Sequence, residues 1–174
     1  RSVAEVPYGF DANRSARGLR VGYEPKRWRG RGSTVGDREV LVRLRAAGVV
    51  LVPVVFPVYP SELLAPGLLV EAAAALQSLT LSGEDDLLTR QDDDAWPNGL
   101  RAAHLLPAVE VLQASRLRFR AMVAMRDLFD SSRVDVLISP FGSPTAGLDT
   151  MLAVTNGTGH PALALRQGFC RNGT

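Results

Sequence analysis

Apolar and polar positions alternate along this chain in a way that separates strand-like from helix-like segments. Residues 1–18 are polar and irregular and read as a leading loop, and Leu19–Tyr23 is a short strand. Gly30–Gly36 reads as a loop in which Ser33 or Thr34 can cap a helix. Asp37–Ala47 fits that helix, with Val40, Leu41 and Leu44 on one face, Arg38, Arg43 and Arg45 elsewhere, and Gly48 as its stop. Val49–Val55 then reads as a buried strand. Strand, helix and buried strand in close succession are the signature of a parallel β-α-β unit.

Tyr59-Pro60 closes that unit. Ser61–Leu81 is helical in pattern, with a break or restart at Pro66-Gly67, and a charged stretch follows from Gly83. Trp96-Pro97-Asn98-Gly99 has the composition of a turn. The longest helix is expected from Leu106-Pro107 to about Phe129, with Val109, Leu112, Phe119, Met122, Val123 and Phe129 as its apolar side. Val134–Ile138 reads as another buried strand, ended by Ser139-Pro140 and a Gly- and Pro-rich loop to Gly147. A short helix around Thr150–Val154, a Gly-rich turn Thr155–Pro161 and a buried strand Pro161–Leu165 complete the pattern. The expected fold class is α/β, a mixed and partly parallel sheet with flanking helices.

Composition narrows the class. Hydrophobic residues are 46% and charged residues 22% of the 174, the balance of a soluble globular domain. Aromatics are only 6%, so the core must be mainly Leu, Val and Ala. A net charge of +2 does not suggest direct nucleic-acid contact. The cluster Lys26, Arg27, Arg29 and Arg31 around Trp28 reads as a solvated loop. No run approaches the ~20 apolar residues of a membrane span, and no signal peptide is visible, so a cytoplasmic location is expected. Arg1 at one end and Asn172-Gly173-Thr174 at the other look cut. Residues 1–174 are therefore expected to form a single partial domain.

His104 and His160 are the two histidines, and neither stands in a pattern that pairs it with a serine at a strand-to-helix elbow. Cys170, the single cysteine, excludes an internal disulfide and a Cys-based zinc cluster, and it follows a strand rather than opening a helix. Lys26, the one lysine, sits among arginines and glycines, whereas a catalytic lysine usually needs burial. Ser131-Ser132 falls in a helix-to-strand connection. Glu84, Asp85, Asp86, Asp92, Asp93 and Asp94 lack calcium-loop spacing and read as a solvated or helix-N-terminal face. No phosphate-binding Gly loop is present, and no metal or cofactor is expected. What remains is two polar loops, Ser139–Gly147 and Thr155–Pro161, each at the end of an expected strand, where α/β sheets hold ligands. Plain connecting loops remain the alternative reading.

Four blocks, in order, resemble the C-terminal third of the amidase signature family. They are Gly18-Leu19-Arg20-Val21-Gly22-Tyr23 with Leu44-Arg45-Ala46-Ala47-Gly48-Val49; Trp96-Pro97-Asn98 with Leu106-Pro107-Ala108-Val109-Glu110 and Gln113-Ala114-Ser115-Arg116; Asp135-Val136-Leu137-Ile138-Ser139-Pro140; and Thr155-Asn156-Gly157-Thr158-Gly159-His160-Pro161-Ala162. The resemblance implies a hydrolase acting on carboxamide C–N bonds through a Ser-cisSer-Lys triad, an acyl-enzyme and a backbone oxyanion hole. It places that triad upstream of this chain, in a missing N-terminal catalytic part, so no catalytic residue carries over. It implies a pocket-wall role for Thr155, Asn156, Gly159 and His160, and for Asp149 a part in holding the substrate amino group. The implied partners are a small-molecule amide substrate and, in the amidotransferase branch, further subunits. Gly157 stands where the family has leucine, and Arg166-Gln167 where its last strand runs into proline. The competing expectation is a non-enzymatic α/β domain that binds a small ligand or partner through the same loops.

Overall fold

The computed structural model describes residues 9, 11, 13–29, 35–57, 65–140 and 151–165. Among these residues the sheet has three strands, β1 (Arg20–Tyr23), β2 (Val50–Pro53) and β3 (Val136–Ile138), in the order β2-β1-β3. All are parallel, with Gly22 opposite Val52 on one side and Leu137 on the other. The α/β class with helices flanking the sheet therefore holds, and the described strands pair in parallel. Helices return the chain between strands, as parallel pairing demands.

The first crossover is α1 (Val35–Ala46), which begins two residues ahead of the expected start; Ser33 and Thr34 lie outside the described residues. Leu41 is its buried core residue, and α1 packs on β2. The helix ends in a Schellman arrangement: Val49 N–H donates to the Leu44 carbonyl (3.1 Å) and Gly48 N–H to the Arg45 carbonyl (2.9 Å). Gly48 has φ +81°, and a Cβ there would meet Arg17 Cγ at 2.9 Å, so only glycine fits. β2 is shorter and less buried than the expected Val49–Val55; it ends at Pro53, which has no N–H for a ladder.

Between β2 and β3 the chain forms a helical layer. α2 (Ala65–Ala75) opens with Pro66 in its first turn, where a missing N–H costs nothing, so Pro66-Gly67 starts this helix. α3 (Gln77–Ser82) stops at Gly83, φ +76°. A 3₁₀ turn over Glu84–Leu87 follows. Trp96-Pro97-Asn98-Gly99 is not a turn but the start of α4 (Trp96–Ala103). Its proline again occupies a first-turn position, and Asn98 Nδ2 donates to the Asp92 carbonyl (3.0 Å), pinning the approach. Leu100 and Ala103 of α4 close with Ala73 of α2 into one core cluster, joined by Leu69, Val70 and Ala72. The acidic stretch is not uniformly solvated: Asp85 is 2% exposed and its Oδ2 lies 2.7 Å from Arg101 Nη2, which also reaches Asp86 (2.6 Å).

α5 (Ala108–Ser132) is the longest element, about 37 Å at 1.5 Å per residue. Its packing reverses the expected face. Ala114, Ala121 and Met125 are buried, while Val109, Leu112 and Phe119 are exposed; Met122, Val123 and Phe129 are half-buried. Small residues face inward because α2 approaches closely: a Cβ on Gly67 would stand 3.8 Å from the Ala114 Cβ. The last turns of α5 reach the sheet, where Leu128 and Phe129 pack with Val52 and Leu137 against buried Val54, Phe56 and Val134. The buried strand expected at Val134–Ile138 is shorter, and Val136 is partly exposed.

Arg20 fixes the join between α5 and the sheet. Its Nε donates to the Arg133 carbonyl (2.6 Å) and its Nη2 to the Ser132 carbonyl (3.2 Å). Asp135 Oδ2 accepts from the Arg20 N–H (2.9 Å), and the Asp135 N–H donates to the Arg20 carbonyl (2.8 Å). Arg133 takes the left-handed conformation, φ 51°, that ends α5. Gly22 in the central strand leaves the notch that Leu137 fills, since a Cβ there would lie 2.6 Å from Leu137 Cδ2 and 3.3 Å from Val134 Cγ1. We expect Gly22→Ala to destabilise the domain by about 1–3 kcal/mol, the usual range for overpacking. Adding Leu137→Val should restore part of the loss in urea unfolding; a neutral Gly22→Ala would show that the notch is not tight.

Candidate functional site

Among the described residues, two places at strand or helix ends hold the residues expected to form a site. The first follows from strand order. The chain passes from β1 to β2 on one side and returns to β3 on the other, so β1 and β3 form a topological switch point. The carboxyl ends of such a strand pair are where parallel sheets hold ligands.

Beyond β1 stand Glu24 and the 3₁₀ turn Pro25–Trp28; beyond β3 stand Ser139 and Pro140. The expected solvated loop is instead an ordered turn as far as Arg29, with Gly30 and Arg31 outside the described residues. Trp28 is 3% exposed and anchors the turn in the interior. Arg27 pairs with Glu24 (Nε to Oε2, 2.7 Å) and its guanidinium lies 5.5 Å from the Phe56 ring centroid, a cation-π distance. Lys26 points outward. Glu24 and Arg27 were missed by motif reasoning; their one signal is that they directly follow the central strand of a β-α-β unit. Ser139 Oγ donates to the Pro140 carbonyl (3.4 Å), and the rest of that loop, with Asp149, lies outside the described residues.

The second place is the end of α6 (Met151–Thr158). Thr155–Thr158 is not a turn but the last turn of this helix, and Gly159 at φ +74° is its left-handed stop. The Thr155 carbonyl accepts from the Gly159 N–H (2.8 Å) and the His160 N–H (3.1 Å). Asn156 is exposed, Thr155 is half-buried and Thr158 is buried. No strand follows: Pro161–Leu165 is irregular and exposed, with Leu163 at 81% and Leu165 at 79%. The alternating Ala-Leu pattern there meets no sheet edge to pair with, and a strand exists only through such pairing.

His160 is held firmly. Its ring stacks on Phe129 at 5.7 Å between centroids and 4° between planes. Its Nδ1 lies 2.8 Å from Thr158 Oγ1, and that hydroxyl donates to the Val154 carbonyl at 2.7 Å. A hydroxyl has one proton, so Thr158 accepts from His160, and Nδ1 carries the hydrogen in the neutral ring. Nε2 is then the lone pair His160 presents. Arg118 of α5 secures the same helix end: its Nε donates to the Gly157 carbonyl (2.8 Å) and its Nη1 to Glu71 of α2 (3.0 Å). A guanidinium at a helix C-terminus satisfies an orphan carbonyl and complements the dipole.

Thr155, Gly159 and His160 therefore stand together with Arg118 and Phe129. They do not meet Ser139: no hydrogen bond or ring contact among the described residues joins His160 to it. Other candidate nucleophiles are engaged structurally. Ser131 and Ser132 hydroxyls both donate to the Leu128 carbonyl, and His104 caps α4 in an exposed position. Arg126, with its guanidinium hydrogen-bonded to Asp127 and Asp130 near by, is pushed further above its usual range and stays cationic. Among the described residues no group of His, Cys, Asp and Glu could hold a metal ion, and no helix is long and apolar enough to cross a membrane.

No protein-family model, curated protein or solved structure matches the chain.

Arg118→Met should leave the fold intact and loosen the end of α6. Amide exchange at Gly159 and His160 should quicken about fivefold, the equivalent of about 1 kcal/mol for one hydrogen bond. Unchanged exchange would mean that the Gly159 stop alone fixes this helix end.

Proposed function

We propose that this chain is the C-terminal part of an amidase signature hydrolase that cleaves carboxamide C–N bonds. Its Ser-cisSer-Lys triad would lie upstream of Arg1, and residues 1–174 would line the acyl or amine pocket. The observation that carries the reading is the order of four motif blocks along nearly the whole chain, ending on Thr155–Ala162. The parallel β1-α1-β2 unit, seated where the first block falls, is compatible with it. So is the state of the local nucleophiles: Lys26 is exposed on a 3₁₀ turn, and the Ser131 and Ser132 hydroxyls are spent on helix carbonyls. Asp149, Thr155, Asn156, Gly159 and His160 are the proposed substrate-facing residues, in a cytoplasmic protein. The substrate is a small amide, and in the amidotransferase branch further subunits would bind.

The second reading, a non-catalytic α/β binding domain, is favoured by the β1–β3 switch point with its Glu24–Arg27 pair, which needs no upstream part. Active-site labelling separates the two. The full natural polypeptide, incubated with a serine-directed acylating probe such as a fluorophosphonate, should be labelled on a serine upstream of residue 1 and should hydrolyse simple carboxamides. His160→Ala in that polypeptide should alter KM or kcat without abolishing labelling. Absence of both labelling and hydrolysis would favour the binding domain, and label on Ser131 or Ser132 would overturn both.

A further inference from the structure

α5 carries a second apolar face that the domain does not use. Within the helix, Val109, Leu112, Arg116, Phe119 and Val123 recur at intervals of three and four residues, the a and d positions of successive heptads. The buried Ala114 and Ala121 fall at f, on the opposite side. Val109, Leu112 and Phe119 are 63%, 64% and 63% exposed, so the face is a stripe of large side chains in water. Scattered apolar residues on a surface are ordinary, but a heptad stripe is an association pattern.

One residue of the stripe says what should cover it. Arg116 stands at an a position between Leu112 and Phe119, is exposed, and has no ion-pair partner among the described residues. Covering an apolar seam buries its central cation, and a buried cation needs a carboxylate. The flanking g positions Ala108, Ser115 and Met122 bring no acid of their own. The α5 helix of a second copy does not supply one. Parallel pairing sets Arg116 against Arg116. Antiparallel pairing centred on the exposed residues sets it against Leu112. A shift that brings Asp127 to Arg116 would carry Val109 past the end of the partner helix at Ser132.

We propose that this face docks one amphipathic helix of another protein, with an apolar heptad seam and a carboxylate opposite Arg116. The inference does not depend on amide hydrolysis. A three-heptad synthetic helix with Leu at a and d and Glu at e and g is the probe, and its Lys counterpart is the control. The Glu peptide should bind in fluorescence anisotropy, more weakly as salt rises, and the Lys peptide should not. Phe119→Glu and Leu112→Glu should each weaken binding about tenfold or more, as loss of a central anchor does. Arg116→Glu should shift preference toward the Lys peptide. Equal binding of both peptides, no binding of either, or dimerisation of the chain through α5 in light scattering would overturn the proposal. Unfolding of both glutamate variants by circular dichroism would return the stripe to the core and overturn it too.

Discussion

The Arg20 guanidinium is the contact on which the described sheet depends. β1 and β3 are separated by more than a hundred residues, and β3 has only three residues with which to pair. So short a ladder is a weak specifier of register. Arg20 supplies what the ladder lacks, because it grips the Ser132 and Arg133 carbonyls at the end of α5 while its own backbone is bracketed by Asp135. The same residue thus ends a helix, begins two strands and sets their offset. Arg118 repeats the device at the end of α6, with Gly157 as the carbonyl and Glu71 as the brace.

Close approach is the second constraint, and small residues answer it. Gly22 admits Leu137 across the sheet, and on α5 the alanine at 114 faces Gly67 of α2. Among the described residues two apolar clusters result, one at the sheet and one between α2 and α4. α5 touches the first through Leu128 and Phe129 and packs along α2 beside the second. A helix that serves two cores is held at both ends, which is why its largest exposed side chains are free to face elsewhere.

Much of the architecture was legible in the sequence because local signals agreed with the fold. Gly48 marked the end of α1, Leu106-Pro107 the start of α5, and the apolar runs marked β1 and β2. The failures share a cause. Trp96–Gly99 looked like a turn because proline and glycine are ambiguous when proline occupies a helix's first turn. Val109, Leu112 and Phe119 looked like core because hydrophobicity measures the wish for burial, whereas Ala114 and Ala121 won the inner face through the tightness of the helix contact. Thr155–His160 looked like a loop because two glycines stand in it; one is a helix stop and the other lies inside the helix. Of the site, His160 and Gly159 were legible as special backbone, but their partners Arg118 and Phe129 come from a distant helix, and periodicity says nothing of such pairings. Asp149 lies outside the described residues.

The exposure of Pro161–Leu165 has a consequence for how this molecule behaves in company. Leucines at alternate positions, 79–81% exposed, have the period of a strand without the neighbours that make one. Among the described strands, β2 and β3 each end the sheet with one flank unmatched. An unmatched flank is a template for any extended chain that reaches it, whether from the same molecule or the next. The domain therefore holds both halves of an exchange: a segment with strand character and an edge to receive it. At high concentration that combination favours swapping between copies, and its solubility would depend on what occupies the edge first.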